Sequence, residues 1–132
     1  MKYTPEYITE LKPNEIFCYG ANQSWIHGAG AARTALMKFG AIMGKGPFNG
    51  QSYGICTKDY DIWTLPLNKI EEYVIDFLDY AKENPDKIFL VTKIGTGLAS
   101  WEIEDIAPLF KNALNLSNVI LPKEFHDVII HL

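Results

Sequence analysis

A three-layer α/β/α sandwich around a mostly parallel sheet is the fold that three observations predict. Apolar runs of strand length alternate along the chain with segments whose apolar residues recur at helical spacing. Two glycine-rich loops, Gly20–Gly30 and Gly95–Ala99, each follow a strand directly and lead into a helix. The 132 residues are 48% hydrophobic and 21% charged, which suits a single domain over residues 1–132 with one sizeable core.

The segment Met1 to Pro13 is mixed and punctuated by Pro5 and Pro13. Tyr7, Ile8 and Leu11 are expected to anchor a short helical turn on the core. Ile16, Phe17, Cys18 and Tyr19 form a buried strand that Gly20 breaks. Asn22, Gln23 and Ser24 are turn formers, and Gly28 and Gly30 allow close backbone approach. From Ala31 a small-residue helix is expected, with Ala31, Ala32, Ala35, Leu36 and Phe39 along one side. Gly40 to Gly50, with four glycines and Pro47, reads as a surface loop.

Ser52 to Thr57 reads as a short strand, followed by a turn-rich stretch to Pro66. Ile70, Tyr73, Val74, Phe77, Leu78 and Ala81 give the clearest helical spacing. Asn68 and Glu71 suit its N-terminal cap, and Asn84-Pro85 its end. Lys87 to Lys93 is a buried strand by its branched and aromatic residues. A helix starting near Glu104 follows, with Ile106, Phe110, Ala113 and Leu114 inward and Pro108 in its first turn. Asn118 to Leu121 is a further strand, and Val128-Ile129-Ile130 suggests an edge strand in the tail.

Composition limits the function classes. The formal net charge is −4 and no basic cluster stands out, which argues against general nucleic-acid binding. One phosphorylated small molecule held by backbone amides remains compatible with that charge. Cys18 and Cys56 fall in expected strands and read as buried reduced thiols. No segment reaches transmembrane length and Met1–Lys12 does not read as a signal peptide, so a cytoplasmic place is expected and no membrane contact. Three scattered histidines and two cysteines give no metal spacing, and no resident cofactor is implied.

A strand, a glycine loop and a helix N-terminus put free N–H groups and a positive dipole end around one spot, which suits phosphate. A tight strand-to-helix turn without a ligand is the plainer alternative. Two such loops at one sheet edge, where ligands of α/β sheets bind, suggest a diphosphate between them.

At these loops the sequence resembles the macrodomain, the ADP-ribose-binding α/β/α module. Tyr19-Gly20-Ala21-Asn22, then His27-Gly28-Ala29-Gly30-Ala31-Ala32, matches that family's strand ending in an Asn-containing motif, followed by a glycine-rich run and a helix. Ile94-Gly95-Thr96-Gly97-Leu98-Ala99 matches its later strand-loop-helix. The order agrees over about residues 15–121. The chain also resembles a small group of bacterial and phage proteins with FGSN-like, HGAGAA-like and GTGLAG-like motifs. The macrodomain resemblance implies Asn22 at the distal ribose, where hydrolytic members have a catalytic Asn. It implies Gly28, Ala29, Gly30, Ala31 and Ala32 against the diphosphate or ribose, and Gly95, Thr96, Gly97 and Leu98 around the phosphates. Three positions depart: Tyr19 replaces the first Asn, His27 the usual Gly, and Tyr7 stands where the family has an adenine-contacting Asp.

Among other side chains, His27 at the lip of the loop suits a general base or a phosphate contact, or plain packing. Trp25 and Trp101, beside the two loops, suit stacking on a base or ribose, or shielding of the core edge. Cys56 with His27 lacks an orienting third group for nucleophilic catalysis. Arg33 is placed to reach a phosphate or to be solvated, and Glu104 and Asp105 suit a helix N-terminus. Asn22 and His27 are the candidate catalytic pair.

Overall fold

The computed structural model describes residues 2–132, and Met1 lies outside the described residues. The apolar run after Asn14 forms β1 (Glu15–Asn22), and the alanine-rich segment forms α1 (Gly30–Lys38). Then come β2 (Phe48–Asn49), β3 (Ser52–Lys58), α2 (Leu67–Glu83) and β4 (Ile88–Val91). These are followed by α3 (Ile103–Ile106), a 3₁₀ helix (Ala107–Asn115), β5 (Val119–Ile120) and α4 (Lys123–Ile130). One mixed five-stranded sheet has the order β2-β3-β1-β4-β5. β1 runs parallel to β3 and β4, and β4 to β5, while β2 is antiparallel to β3, so the sheet is mostly parallel.

The order places the site. β1 is central, and the chain visits β3 on one side of it before crossing to β4 on the other. Connections therefore diverge at the carboxyl end of β1 and leave a crevice there. Cys18 pairs with Tyr53 and with Val91, all buried. Neighbouring strand residues point to opposite faces. Phe17 meets Phe39 beyond α1 at 4.9 Å between ring centroids, and Tyr53 meets Phe77 of α2 at 5.2 Å. Gly54, the partner of Tyr19, has no room for a side chain: a Cβ would stand 2.6 Å from the Trp25 ring and 3.0 Å from Tyr19.

Several expectations need correction. The Gly40–Gly50 loop is not all loop, because Phe48–Asn49 pairs with Ser52–Tyr53 as β2. Gly40 and Gly50, both at positive φ, touch backbone to backbone and close that hairpin. α2 starts two residues earlier than expected, with Pro66 and not Asn68 as its cap residue, so Asn68 lies inside the first turn and caps nothing. The expected helix after Glu104 is one α-turn followed by 3₁₀ helix, since Pro108 has no N–H to return to Glu104. A three-residue period then buries Ala107, Phe110 and Ala113 and leaves Leu114 47% exposed. Glu102 and Asp105 form the capping box of α3.

The tail is a helix and not an edge strand. Phe125 and Ile129 are four residues apart and both buried, and Glu124 sits in the first turn where the helix dipole favours it. No helical turn forms around Tyr7, which is 84% exposed. Instead Thr4 pins the N-terminal segment beside β5, its N–H to Leu121 O (2.9 Å) and its hydroxyl to Ile120 O (3.0 Å). Ile8 and Leu11 still pack on the core.

Candidate functional site

At the carboxyl ends of β1, β3 and β4 lies a crevice of about 320 Å³, within the range of small-molecule sites. Its walls are the loop after β1, the first turn of α1, the end of β3 and the loop after β4.

Backbone amides dominate two of these walls. Ala29, in extended conformation, precedes α1 without a side-chain cap, and Arg33 is the first residue whose N–H returns to it. Gly30, Ala31 and Ala32 thus present N–H groups with no acceptor among the described residues. The loop after β4 turns at Gly95. Its φ of +80° strains any residue with a side chain, and a Cβ there would stand 2.9 Å from an Ile106 methyl, so the position favours glycine. Trp101 N–H bonds Gly95 O and Ser100 N–H bonds Gly97 O, while the N–H groups of Gly97, Leu98 and Ala99 have no acceptor among the described residues. Gly28 and Gly97 have open space where a Cβ would stand.

The charge of the lining is one-sided. Among the described residues Lys58 and Lys93 are its only charged side chains, in a chain of net charge −4. Lys93 is paired with Glu124 (2.7 Å) and Glu6 (3.3 Å), pairs that raise its pKa and lower that of Glu124. Lys58, half-buried at the end of β3, has no carboxylate partner among the described residues.

The polar side chains of the first loop are turned to other tasks. Asn22 lines the crevice, but its carboxamide holds the loop itself. Nδ2 donates to Ile26 O (2.8 Å), and Oδ1 accepts from Ile26 N–H (3.1 Å) and the Ser24 hydroxyl (2.9 Å). His27 lies off the lining. It is 2% exposed, with Nε2 at 2.8 Å from the Tyr19 hydroxyl and Nδ1 unpartnered. Burial lowers the His27 pKa and raises that of Tyr19. The departure of Tyr19 and His27 from the macrodomain pattern is therefore one paired feature: they bond each other.

Trp25 also turns inward, packing over Gly54, and Trp101 braces its loop through Nε1 to Leu65 O (3.1 Å). Neither lines the crevice, nor does Thr96, whose hydroxyl donates to Lys93 O (2.8 Å). Of the residues expected at the site, Asn22, Gly28, Ala29, Gly30, Ala31, Ala32, Gly95, Gly97 and Leu98 are brought together on the lining. Arg33 is exposed and off it. Burial pushes the Cys56 thiol up to about 12, which removes its thiolate at neutral pH. No group of three or more His, Cys, Asp or Glu among the described residues could hold a metal ion.

The sequence pattern does not single out Ile26, Thr57, Lys58, Ile62, Thr92 or Lys93, which also line the crevice. The signal available for Thr57, Lys58 and Ile62 is topological: a strand beside β1 brings its own carboxyl end to the same crevice. A second feature is also invisible in composition. The three non-glycine residues at positive φ among those described, Trp25, Ile62 and Ser100, lie one each in the loops after β1, β3 and β4. Such strain gathers where surrounding structure over-determines a loop, and functional sites are where it clusters.

Comparison with protein-family models, with curated proteins and with solved structures gives no match to this chain.

Proposed function

We propose that the protein binds a phosphate-bearing, nucleotide-like ligand of the ADP-ribose kind in this crevice, as a binder and not a hydrolase. The observation that carries this is the pairing of two sets of amides unpartnered among the described residues, at residues 30–32 and 97–99, in a lining whose described charged side chains are both lysines. Amides and a helix N-terminus hold phosphate without needing a basic surface. A layered α/β/α arrangement of the macrodomain kind belongs to the same reading. Its support is that Phe17 and Tyr53, which lie on alternate faces by register, reach Phe39 and α2 respectively. A cytoplasmic place is in keeping with the two free buried cysteines, and no helix among the described residues is long and apolar enough to cross a membrane.

The choice of binder over hydrolase rests on His27. A general base must reach the proton that it takes, whereas His27 is buried against Tyr19 and away from the lining. Asn22, with its carboxamide engaged three times, serves by shaping the loop.

The test is thermal denaturation with ADP-ribose, NAD, ATP and AMP. Ligand at about 100 times its Kd is expected to add about 2.7 kcal/mol of stability. No shift with any of them at millimolar concentration would leave an interaction protein of this fold as the better reading.

A further inference from the structure

Three exposed large apolar side chains stand on the crevice lining: Ile26, Ile62 and Leu98, at 51%, 52% and 65% exposure. They come one each from the loops after β1, β3 and β4. Ile62 is held there against its own preference. Its φ of +67° is a conformation that a β-branched residue adopts only under constraint. The constraint is visible: Asp59 Oδ1 accepts the N–H groups of Asp61 (2.9 Å) and Trp63 (3.0 Å), and Lys58 bridges Thr64.

Polar side chains of the lining leave little with which to read a base. Asn22 is engaged with Ser24 and Ile26, Thr92 with Cys18 O, and Lys93 with Glu6 and Glu124. Thr57 and Lys58 remain, consecutive at the end of β3 and both on the lining, a hydroxyl and a cation each suited to phosphate. No carboxylate among the described residues lines the crevice to accept from an exocyclic amine.

We infer that the crevice takes nucleoside diphosphates without regard to the base. The phosphates lie on the amides and Lys58, and the organic group is held by apolar contact with Ile26, Ile62 and Leu98. This rests on the phosphate reading above and goes beyond it to the ligand class. Apolar contact discriminates weakly between related groups, whereas a site built to hydrogen-bond a ligand rejects an analogue lacking the partner by about 10⁴-fold or more.

The experiment is calorimetric titration with inorganic pyrophosphate, ADP, GDP and UDP. The three nucleotides are expected to bind within about fivefold of one another, and each about tenfold tighter than pyrophosphate. Ile62→Gly, which relaxes the backbone, should weaken all three nucleotides by about tenfold and leave pyrophosphate unchanged. Leu98→Ala, at an exposed position, should act in the same direction. A preference above about 30-fold for one base would overturn the inference while leaving the phosphate reading intact. So would nucleotides no tighter than pyrophosphate, or variants that weaken pyrophosphate equally. Failure of all four probes to bind would overturn both.

Discussion

The loop after β1 is shaped by side chains that would otherwise be candidate ligand contacts, whereas the loop after β4 turns on a glycine backbone. The latter is fastened at its edges by Thr96 to Lys93 O, Thr64 to Ala99 O and Trp101 to Leu65 O. In the first, Asn22 makes three hydrogen bonds, His27 bonds Tyr19, and Trp25 packs over Gly54. In the second, Gly95 turns at positive φ, and Trp101 and Ser100 return their N–H groups to Gly95 O and Gly97 O. Both leave the crevice facing mainly small residues and free amides. The difference teaches that a polar residue beside a glycine motif is as readily a fastener of the loop as a ligand contact. Here the unengaged cation comes from β3, a strand without a motif.

That contrast makes the two loops fail differently. Asn22→Ala should cost about 2–4 kcal/mol, from three lost hydrogen bonds at roughly 1 kcal/mol each plus the groups left unpaired. Gly97→Ala should change stability by less than about 0.5 kcal/mol, because nothing stands near its Cβ position. It should nevertheless weaken ADP-ribose binding. Urea unfolding of both variants checks this, and a cost for Gly97→Ala matching that of Asn22→Ala would break the comparison.

A smaller effect tests the inward turn of His27. Burial lowers its pKa, so the folded chain refuses a proton that the unfolded chain takes up near pH 6.5. Stability should therefore be level above about pH 7 and decline as pH falls below about 6.5, until the lowered folded pKa is passed. Glu124, held below the usual carboxylate range by Lys93, acts in the same direction only around and below about pH 4.3. His27→Gln should flatten the upper part of this profile, as followed by thermal melts between pH 5 and 8. An unchanged slope would place the titrating group elsewhere.

Much of the α/β order is legible in the sequence because it rests on short-range pattern. The runs at Ile16–Tyr19 and Ile88–Val91 and the spacing Ile70–Val74–Phe77–Ala81 decide their elements almost alone. The tail misleads because Val128-Ile129-Ile130 has strand propensity, yet Phe125 and Ile129 bury together only on a helix. The glycine walls of the crevice are legible from Gly28, Gly30, Gly95 and Gly97, since a glycine loop between strand and helix has few uses. The directions of Trp25, His27 and Trp101 are not legible, because each depends on a distant partner: Gly54, Tyr19 and Leu65. Lys58 and Ile62 need the strand order, which no local pattern carries.

The most direct measurement is amide chemical-shift mapping on ¹⁵N-labelled protein during titration with ADP-ribose. The expected result is saturable shifts at Gly30, Ala31 and Ala32 and at Gly97, Leu98 and Ala99, with Trp25 and Trp101 little moved. Shifts confined to residues outside the crevice, or none at saturating ligand, would contradict the claim that these two sets of amides form one phosphate site.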